Sequence, residues 1–186
     1  IPGYNPTIQG NAAQIRKAAA LIKEAKKPVI VAGQGVLIAR AENELLKLAE
    51  TTGIPVITTL LRIGGFPESH ELSFGLLGLH GMAYANMAVQ NADLLLVLGA
   101  RFSDRVTGPV HTFAPDARLI HVDVDPAEIG KVVQVDLSVV GDVGKVLEKL
   151  IPLIEKRGHQ PWLDQIRVWR REAEVRDIVV WESARL

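Results

Sequence analysis

Short apolar runs alternate with amphipathic segments along most of the chain. Uninterrupted apolar runs are typical of strands that are covered on both faces, as in a parallel sheet. Five such runs predict strands at residues 29–32, 55–59, 94–98, 117–125 and 137–140. The pattern therefore favours a buried sheet with helices on both sides.

Between these runs, apolar residues recur at helical spacing. Helices are predicted from residue 11 to Pro28, around Leu45, over 81–92, at Pro126, from 141 to about 156 and over 160–177. In the third of these, Met82, Ala85, Met87 and Ala88 are candidates for the packed face. Strands that alternate with helices predict an α/β fold, with three layers (α/β/α) and a mostly parallel, roughly six-stranded sheet.

The segment from Leu60 to Leu79 shows neither period and contains four glycines. Connections of this length are unusual and are often functional, so we expect this one to contribute to a site. Residues 1–10 are predicted to be a lead-in linker, 11–157 a central domain, and 158–186 a C-terminal helix and linker toward a further domain. The start at Ile1 rather than methionine indicates a piece of a longer chain.

Composition narrows the possible functions. The chain has 21 basic and 21 acidic residues, so its balance does not favour nucleic acid or an anionic membrane as a partner. It has no cysteine, which excludes disulfides, thiolate metal sites and thiol nucleophiles. No apolar run is long enough to span a bilayer, and no signal pattern opens the chain; both fit an intracellular location.

The strongest candidate site follows the predicted strand at 94–98, in the run GARFSDRVTG at 99–108. Ligands of parallel α/β sheets bind beyond the carboxyl ends of the strands. The guanidinium groups of Arg101 and Arg105 would suit a phosphate or a carboxylate there. The alternative is a surface loop whose charges pair with one another.

A second candidate is the glycine turn Gly33-Gln34-Gly35, between a predicted strand and a helix. Such glycines let the backbone approach a ligand, although a simple tight turn would need them too. A strict dinucleotide fingerprint would have Gly or Ala in place of Ile38 and an acid near Thr59. These differences disfavour a nicotinamide dehydrogenase.

A carboxylate that could bind ribose hydroxyls follows the predicted strand at 117–125. Asp125 precedes Pro126 and is the better helix cap, so Asp123 is the better ligand candidate. His80 has no metal-ligand spacing with the other histidines, and no Ser-His-Asp set or carboxylate pair is evident. We therefore predict no catalytic residue and no metal ligand in this chain.

These residues together resemble the central domain of the acetohydroxyacid (acetolactate) synthase family of thiamine diphosphate enzymes. The resemblance extends from residue 1 to about residue 170. Its most specific parts are the runs at 14–18, 78–81, 86–88, 91–94, 99–108 and 121–131. It implies a Rossmann-like domain that binds FAD, mainly in a structural role.

The resemblance also implies which residues bind the cofactor. FAD would contact Gly33, Gly35, Thr59, Leu60, Leu79, His80, Gly99, Arg101, Asp104, Val106, Asp123, Val124, Asp142 and Val143. Arg105 would stand at the mouth of the substrate channel, where sulfonylurea-type herbicides bind in the family.

The parent enzyme implied by the resemblance condenses two pyruvates, or pyruvate and 2-oxobutyrate, with loss of carbon dioxide in branched-chain amino-acid biosynthesis. Thiamine diphosphate and magnesium would be bound by its amino- and carboxyl-terminal domains. It would be a bacterial cytoplasmic homo-oligomer, with a possible small regulatory subunit. The chain alone is expected to fold, to be colourless or bind FAD only weakly, and to be inactive.

Two alternatives stay open at this point. One is the same domain of a sister enzyme, such as a glyoxylate carboligase, and the other is a stand-alone nucleotide-binding or interaction module. Arg62 stands where the family usually has glycine, and the tail 172–186 does not match the family. The sequence assigns no role to either.

Overall fold

The computed structural model describes residues 7–183 of the chain, and side chains up to residue 174. Within these residues, six parallel strands form one sheet in the order β3-β2-β1-β4-β5-β6. The strands are β1 (Pro28–Ala32), β2 (Val56–Thr58), β3 (Ser73–Leu76), β4 (Leu94–Leu98), β5 (Arg118–Asp123) and β6 (Leu137–Val140). This order confirms the α/β fold with a parallel sheet, and it is that of a doubly wound Rossmann-type domain.

The centre of the sheet is its most apolar part. Every residue of β1 and β4 is buried, and the two strands pair in register from Pro28 opposite Leu94 to Ala32 opposite Leu98. These are two of the uninterrupted apolar runs in the sequence. Burial on both faces explains why neither strand shows polar alternation.

Helices cover the sheet. They are α1 (Ala12–Glu24), α2 (Gln34–Ile38), α3 (Glu42–Thr52), α4 (Ala83–Gln90), α5 (Asp104–Thr107), α6 (Val143–Leu150) and α7 (Gln160–Ser183). The Asn11 side chain begins α1 by accepting hydrogen bonds from the amides of Ala13 and Gln14. Asp142 begins α6 in the same way, by accepting from the amide of Lys145. Such caps satisfy amides that have no partner within the helix.

Two groups of helices pack separately. Helices α1, α2 and α3 contact α6, whereas α4 packs against α7. The connection through α3 runs from β1 outward to β2, and the connection through α4 returns from β3 to β4. Since parallel crossovers are right-handed, these opposite directions put α3 and α4 on opposite faces of the sheet. The result is the three-layer arrangement.

The start of α7 is anchored to the start of β1. The buried Trp162 indole nitrogen donates to the carbonyl of Pro28 at 3.1 Å, and Trp169 packs edge-on against Trp162. Ile166, one turn further along, is fully buried. Trp162, Ile166 and Trp169 are therefore packing residues of the domain.

Several local predictions were wrong. Residues 60–79 contain the edge strand β3. It was not predicted because Ser73 and Gly75 interrupt its run of apolar residues. Residues 126–130 form turns rather than a helix, and α6 ends at Leu150 rather than near residue 156. Met82 and Met87 are exposed, because α4 buries its small residues Ala85 and Ala88 instead.

The ends of the chain bear on the predicted linkers. Residues 1–6 and 184–186, parts of the lead-in and the tail, lie outside the described residues. The last part of the lead-in packs on the domain: Ile8 accepts a hydrogen bond from the amide of Asp142 at 2.9 Å. Among the described helices, none is long and apolar enough to cross a membrane.

The loops that leave β1 and β4 meet where the direction of winding reverses. The amide of Gly35 donates to the carbonyl of Gly99 at 2.9 Å, and the amide of Gly33 donates to Leu98 at 2.9 Å. A β-carbon on Gly35 would lie 2.6 Å from the Cα of Gly99. Gly99 also has a φ of 56°, a conformation that favours glycine. Two backbones can approach this closely only without side chains.

We expect Gly99→Ala to lower the free energy of unfolding sharply. Backbone strain of about 1–3 kcal/mol would add to a steric clash with Gly35, which typically costs about 1–3 kcal/mol. Gly35→Ala should show the clash without the strain, since its φ is ordinary for any residue. Urea unfolding followed by circular dichroism measures both.

Gly130→Ala is the control. Gly130 has a φ of 73°, but a β-carbon there would meet no atom within 4 Å, so only strain should be added. A loss for Gly130→Ala as large as that for Gly99→Ala would show that the contact between the loops adds nothing.

Candidate functional site

One large cavity lies at the carboxyl edge of the sheet, and it is the candidate site. Its volume is about 600 Å³, within the range of pockets for small ligands and cofactors. The loops that follow all six strands contribute to its wall. The cavity thus occupies the crevice where ligands of doubly wound sheets bind.

Most of the residues expected to contact a cofactor lie together in this wall. It contains Gly35, Thr59, Leu60, Leu79, His80, Gly99, Arg101, Arg105, Val106, Asp123, Val124, Asp142 and Val143, but not Gly33 or Asp104. Residues that the sequence did not single out as contacts also line it: Gln34, Ile38, Ala39, Leu61, Leu76, Leu77, Ala100, Ser103, Asp125 and Glu128. Loop positions such as Leu61 gave no periodic signal by which they could have been found.

The glycine turn has a packing role. The amides of Gly33 and Gly35 already donate to carbonyls of the β4 exit, so they are not free to bind a phosphate. A β-carbon on Gly33 would collide with the backbone at Ala100. The structure therefore explains these glycines by the contact between the two loops, without a ligand.

The arginine loop supplies exposed cations at the middle of the cavity. The Arg101 side chain is 78% exposed, and its only ion-pair partner among the described residues is Glu128, at 3.8 Å. Arg105 lies on the short helix α5, whose first residue, Asp104, accepts a hydrogen bond from the Arg105 amide at 2.9 Å. The sequence left open that the charges of this loop pair with one another. Among the described residues, no ion pair joins two side chains of the loop. Both guanidinium groups can take an anion.

Carboxylates line the cavity beyond β5 and β6. Asp123 accepts from the amide of Asp125 at 2.9 Å through one oxygen, and Asp125 in turn accepts from the amide of Ala127. Asp125 therefore caps a turn, where the sequence predicted a helix cap. The second oxygen of Asp123 accepts no hydrogen bond within the chain; it lies 3.8 Å from Nε2 of His121 and is available to ligand hydroxyl groups. Asp142 lies nearby as the cap of α6.

The opposite end, beyond β2 and β3, is apolar. Leu60, Leu61 and Leu79 line the cavity and are 63%, 65% and 77% exposed, respectively. Ile38 from α2 is 75% exposed and adds to this wall. Large apolar side chains exposed together in a concave site are typical of a ligand or partner surface.

A backbone hydrogen bond ties this apolar end to the arginine loop. The amide of Leu79 donates to the carbonyl of Arg105 at 2.8 Å. Asn86 on α4 fixes the same turn by two hydrogen bonds of 3.0 Å, to the amide and the carbonyl of Gly78. The turn that includes His80 is thus positioned from both sides.

His121 is a buried titratable residue beneath the cavity that the sequence did not single out. It is fully buried on β5, its ring packs edge-on against Phe102, and neither ring nitrogen has a hydrogen-bond partner. Burial lowers the pKa of His121, and this outweighs the opposing effects of Asp123, the Ala100 backbone and Glu128. The imidazole is therefore neutral near pH 7.

The groups in the cavity wall suit the binding of a ligand. Among the described residues, no group of three or more histidine, aspartate or glutamate side chains could hold a metal ion. Ion pairs and hydrogen bonds there form no nucleophile–base pair of the kind that covalent catalysis requires. The wall offers cations, carboxylates and apolar side chains in separate places.

Comparison with known proteins identifies relatives of this chain. The family profile "Thiamine pyrophosphate enzyme, central domain" matches residues 15–150. The chain is 51% identical over 172 residues to the acetolactate synthase large subunit of Corynebacterium glutamicum, covering 90% of this chain and 28% of that protein. It is 48% identical over 169 residues to the acetolactate synthase of Mycobacterium avium, covering 91% of this chain and 27% of that protein.

A solved structure of a thiamin diphosphate-dependent enzyme is also similar to this chain. The X-ray structure of a thiamin diphosphate-dependent enzyme from Mycobacterium smegmatis superposes with a TM-score of 0.69 and 30% identity, over 84% of this chain and 30% of that chain. The chain thus spans less than a third of the length of these relatives.

The neutral His121 predicts a pH dependence of stability. The pKa of His121 is lower in the folded chain than in the unfolded chain. Its full contribution to the free energy of unfolding is therefore present above pH 6.5, the ordinary pKa of histidine, and is lost as the pH falls below that value. His121→Leu should therefore lose less stability than the wild type between about pH 7.5 and pH 5.5. Urea unfolding at the two pH values measures this. Part of the dependence should remain, because burial also lowers the pKa of His159.

The control variant is His111→Leu, because His111 lies on the surface. It should keep the pH dependence of the wild type. An unchanged pH dependence in His121→Leu would contradict the assignment of a buried, neutral His121.

Proposed function

Because the chain belongs to the thiamine pyrophosphate enzyme family as a central domain, we propose that it binds FAD within an acetolactate synthase large subunit. One observation carries the FAD assignment. Across the carboxyl edge of the sheet, carboxylates beyond β5 and β6 are followed by arginines beyond β4 and then by apolar side chains beyond β2 and β3. A dinucleotide with an aromatic ring has this order of hydroxyl groups, phosphates and ring.

The residues present fit this cofactor. The free oxygen of Asp123 would accept hydrogen bonds from the adenosine ribose, and Arg101 would bind the diphosphate in exchange for its long contact with Glu128. Leu60 and Leu79 would cover part of the flavin ring, which would bury their exposed surface. The Gly35–Gly99 contact sets the floor beneath the phosphates.

In this proposal FAD has a structural role, and the chain's own residues bind and orient it. The turn that carries Leu79 and His80 is fixed by Asn86 and by the Arg105 carbonyl, so the apolar wall is formed before the ligand arrives. Preorganisation of this kind favours binding, because less conformational entropy is lost.

The activity of the whole protein is part of the same proposal. It would condense two pyruvates, or pyruvate and 2-oxobutyrate, with decarboxylation in branched-chain amino-acid biosynthesis in the cytoplasm. Thiamine diphosphate and magnesium would be held by domains outside this chain, which would itself supply no catalytic group. Arg105, exposed at the mouth of the cavity, would face the substrate channel. A small regulatory subunit and a second large subunit are the proposed partners.

Titration of the chain with FAD, followed by flavin fluorescence and calorimetry, tests the binding proposal. We expect saturable binding that Arg101→Ala weakens about 10- to 100-fold, since a charge-assisted hydrogen bond contributes about 1.5–3 kcal/mol. ADP should compete, because it carries the adenosine and diphosphate groups alone.

Arg16→Ala is the control, since Arg16 is an exposed arginine on α1 outside the cavity wall. It should leave the affinity for FAD unchanged. Tight binding of NAD without binding of FAD would refute the proposal, and so would equal losses in the two variants.

A further inference from the structure

The turn at residues 78–81 reaches the cavity without side chains that could anchor it. Leu79 and His80 are both exposed, and both line the cavity wall. The other two residues of the turn, Gly78 and Gly81, have no side chain to bury in the core. The conformation of the turn must therefore be set by hydrogen bonds to its backbone.

Backbone hydrogen bonds provide part of this support. The amide of Leu79 donates to the carbonyl of Arg105 at 2.8 Å, and the amide of Gly81 donates to the carbonyl of Gly78 at 2.9 Å. Gly78 has a φ of 112°, and a β-carbon there would lie 2.5 Å from the carbonyl oxygen of Arg105. The turn thus lies directly against the arginine loop, in a backbone conformation that surrounding contacts must maintain.

One side chain supplies the rest of the support. Asn86 accepts a hydrogen bond from the amide of Gly78 through Oδ1 and donates to the carbonyl of Gly78 through Nδ2, both at 3.0 Å. Within the part of the chain that the structure describes, no other side chain forms a hydrogen bond to residues 77–82. Because the amide and the carbonyl of one residue are both bound, both backbone torsions of Gly78 are fixed.

Asn86 is not in the cavity wall, yet it connects that wall to the packed part of the domain. It lies on α4, which packs against β3 and α7. We propose that Asn86 is a positioning residue for the ring end of the ligand: by fixing the backbone of Gly78, it places Leu79 and His80 in the cavity wall before the ligand arrives. This proposal rests on the proposed binding of FAD. It assigns to Asn86 an effect on the binding of the ring and none on the binding of the adenosine and diphosphate groups.

Titration of the wild type and of Asn86→Ala with FAD and with ADP tests this role. Asn86→Ala should weaken the binding of FAD about tenfold, because the released turn must be ordered when the ring binds. Its affinity for ADP should stay within about twofold of the wild type, because ADP has no ring to contact Leu79 and His80. Equal losses for the two ligands, or no loss for FAD, would overturn the proposal. If Asn86→Ala does not fold, Asn86→Asp keeps the acceptor for the Gly78 amide and should show the same difference between the ligands.

Gln90→Ala is the matched control, because Gln90 lies one turn further along α4 and holds another loop in the same way. Its side chain donates to the carbonyl of Thr112 and accepts from the amide of Ala114, the latter at 3.1 Å. That loop does not line the cavity. Gln90→Ala should therefore lower the melting temperature, as Asn86→Ala does, but leave the affinities for FAD and ADP unchanged. A selective loss of FAD binding in Gln90→Ala as large as in Asn86→Ala would refute a specific role of Asn86.

Hydrogen exchange of the ligand-free chain measures the turn directly. In Asn86→Ala the amide of Leu79 should exchange at least about tenfold faster than in the wild type, because the whole turn is released from Arg105. Gln90→Ala should leave this amide near the wild-type rate. Equal acceleration in both variants, or none in Asn86→Ala, would also overturn the proposal. If the wild type binds neither ligand, the proposed function fails for this chain, while the exchange rates still decide whether Asn86 holds the turn.

Discussion

The contact between Gly35 and Gly99 is the constraint on which the site depends. At this point the chain leaves β1 toward one edge of the sheet and leaves β4 toward the other, so a crevice opens above the two strands. Strands β1 and β4 are neighbours with fully buried side chains, so the loops that follow them begin close together. Glycine on both sides lets the exits cross at backbone contact, and a side chain on either would push them apart. The floor of the cavity follows from this packing.

The buried part of the fold could be predicted from the sequence, and its edges could not. Runs such as Leu94–Leu98 have one physical explanation, burial on both faces, so β4 and its neighbours were found. Edge strand β3 contains Ser73 and Gly75 and is half-covered, so its pattern is that of a loop. Likewise, the sequence of α4 gave no reason to prefer its alanines over Met82 and Met87 for the packed face. That choice is made by the close approach of α7, which lies far along the chain.

The candidate site was predictable in part for a similar reason. Charged residues directly after a buried strand must lie at its carboxyl end, so Arg101 and Asp123 could be placed before the structure was known. The environment of a residue within an irregular loop could not, because loops carry no period. Leu61 shows this: nothing in the pattern of the glycine-rich segment indicated that its side chain would line the cavity. Likewise, only the three-dimensional contacts show that His121 lies beneath Phe102 without a hydrogen-bond partner.

The position of Trp162 bears on optical spectroscopy of this protein. Its indole lies at the amino end of β1, where it donates to Pro28, and the cavity lies beyond the carboxyl end of the same strand. A five-residue strand separates these ends by roughly 13 Å. A ligand in the cavity therefore cannot quench Trp162 by contact, although a flavin at that distance would accept its excitation energy. Trp169 packs beside Trp162 and shares this geometry. The emission of Trp162 and Trp169 thus separates the two ends of the domain: a colourless ligand leaves it unchanged, whereas unfolding around the start of α7 alters it directly.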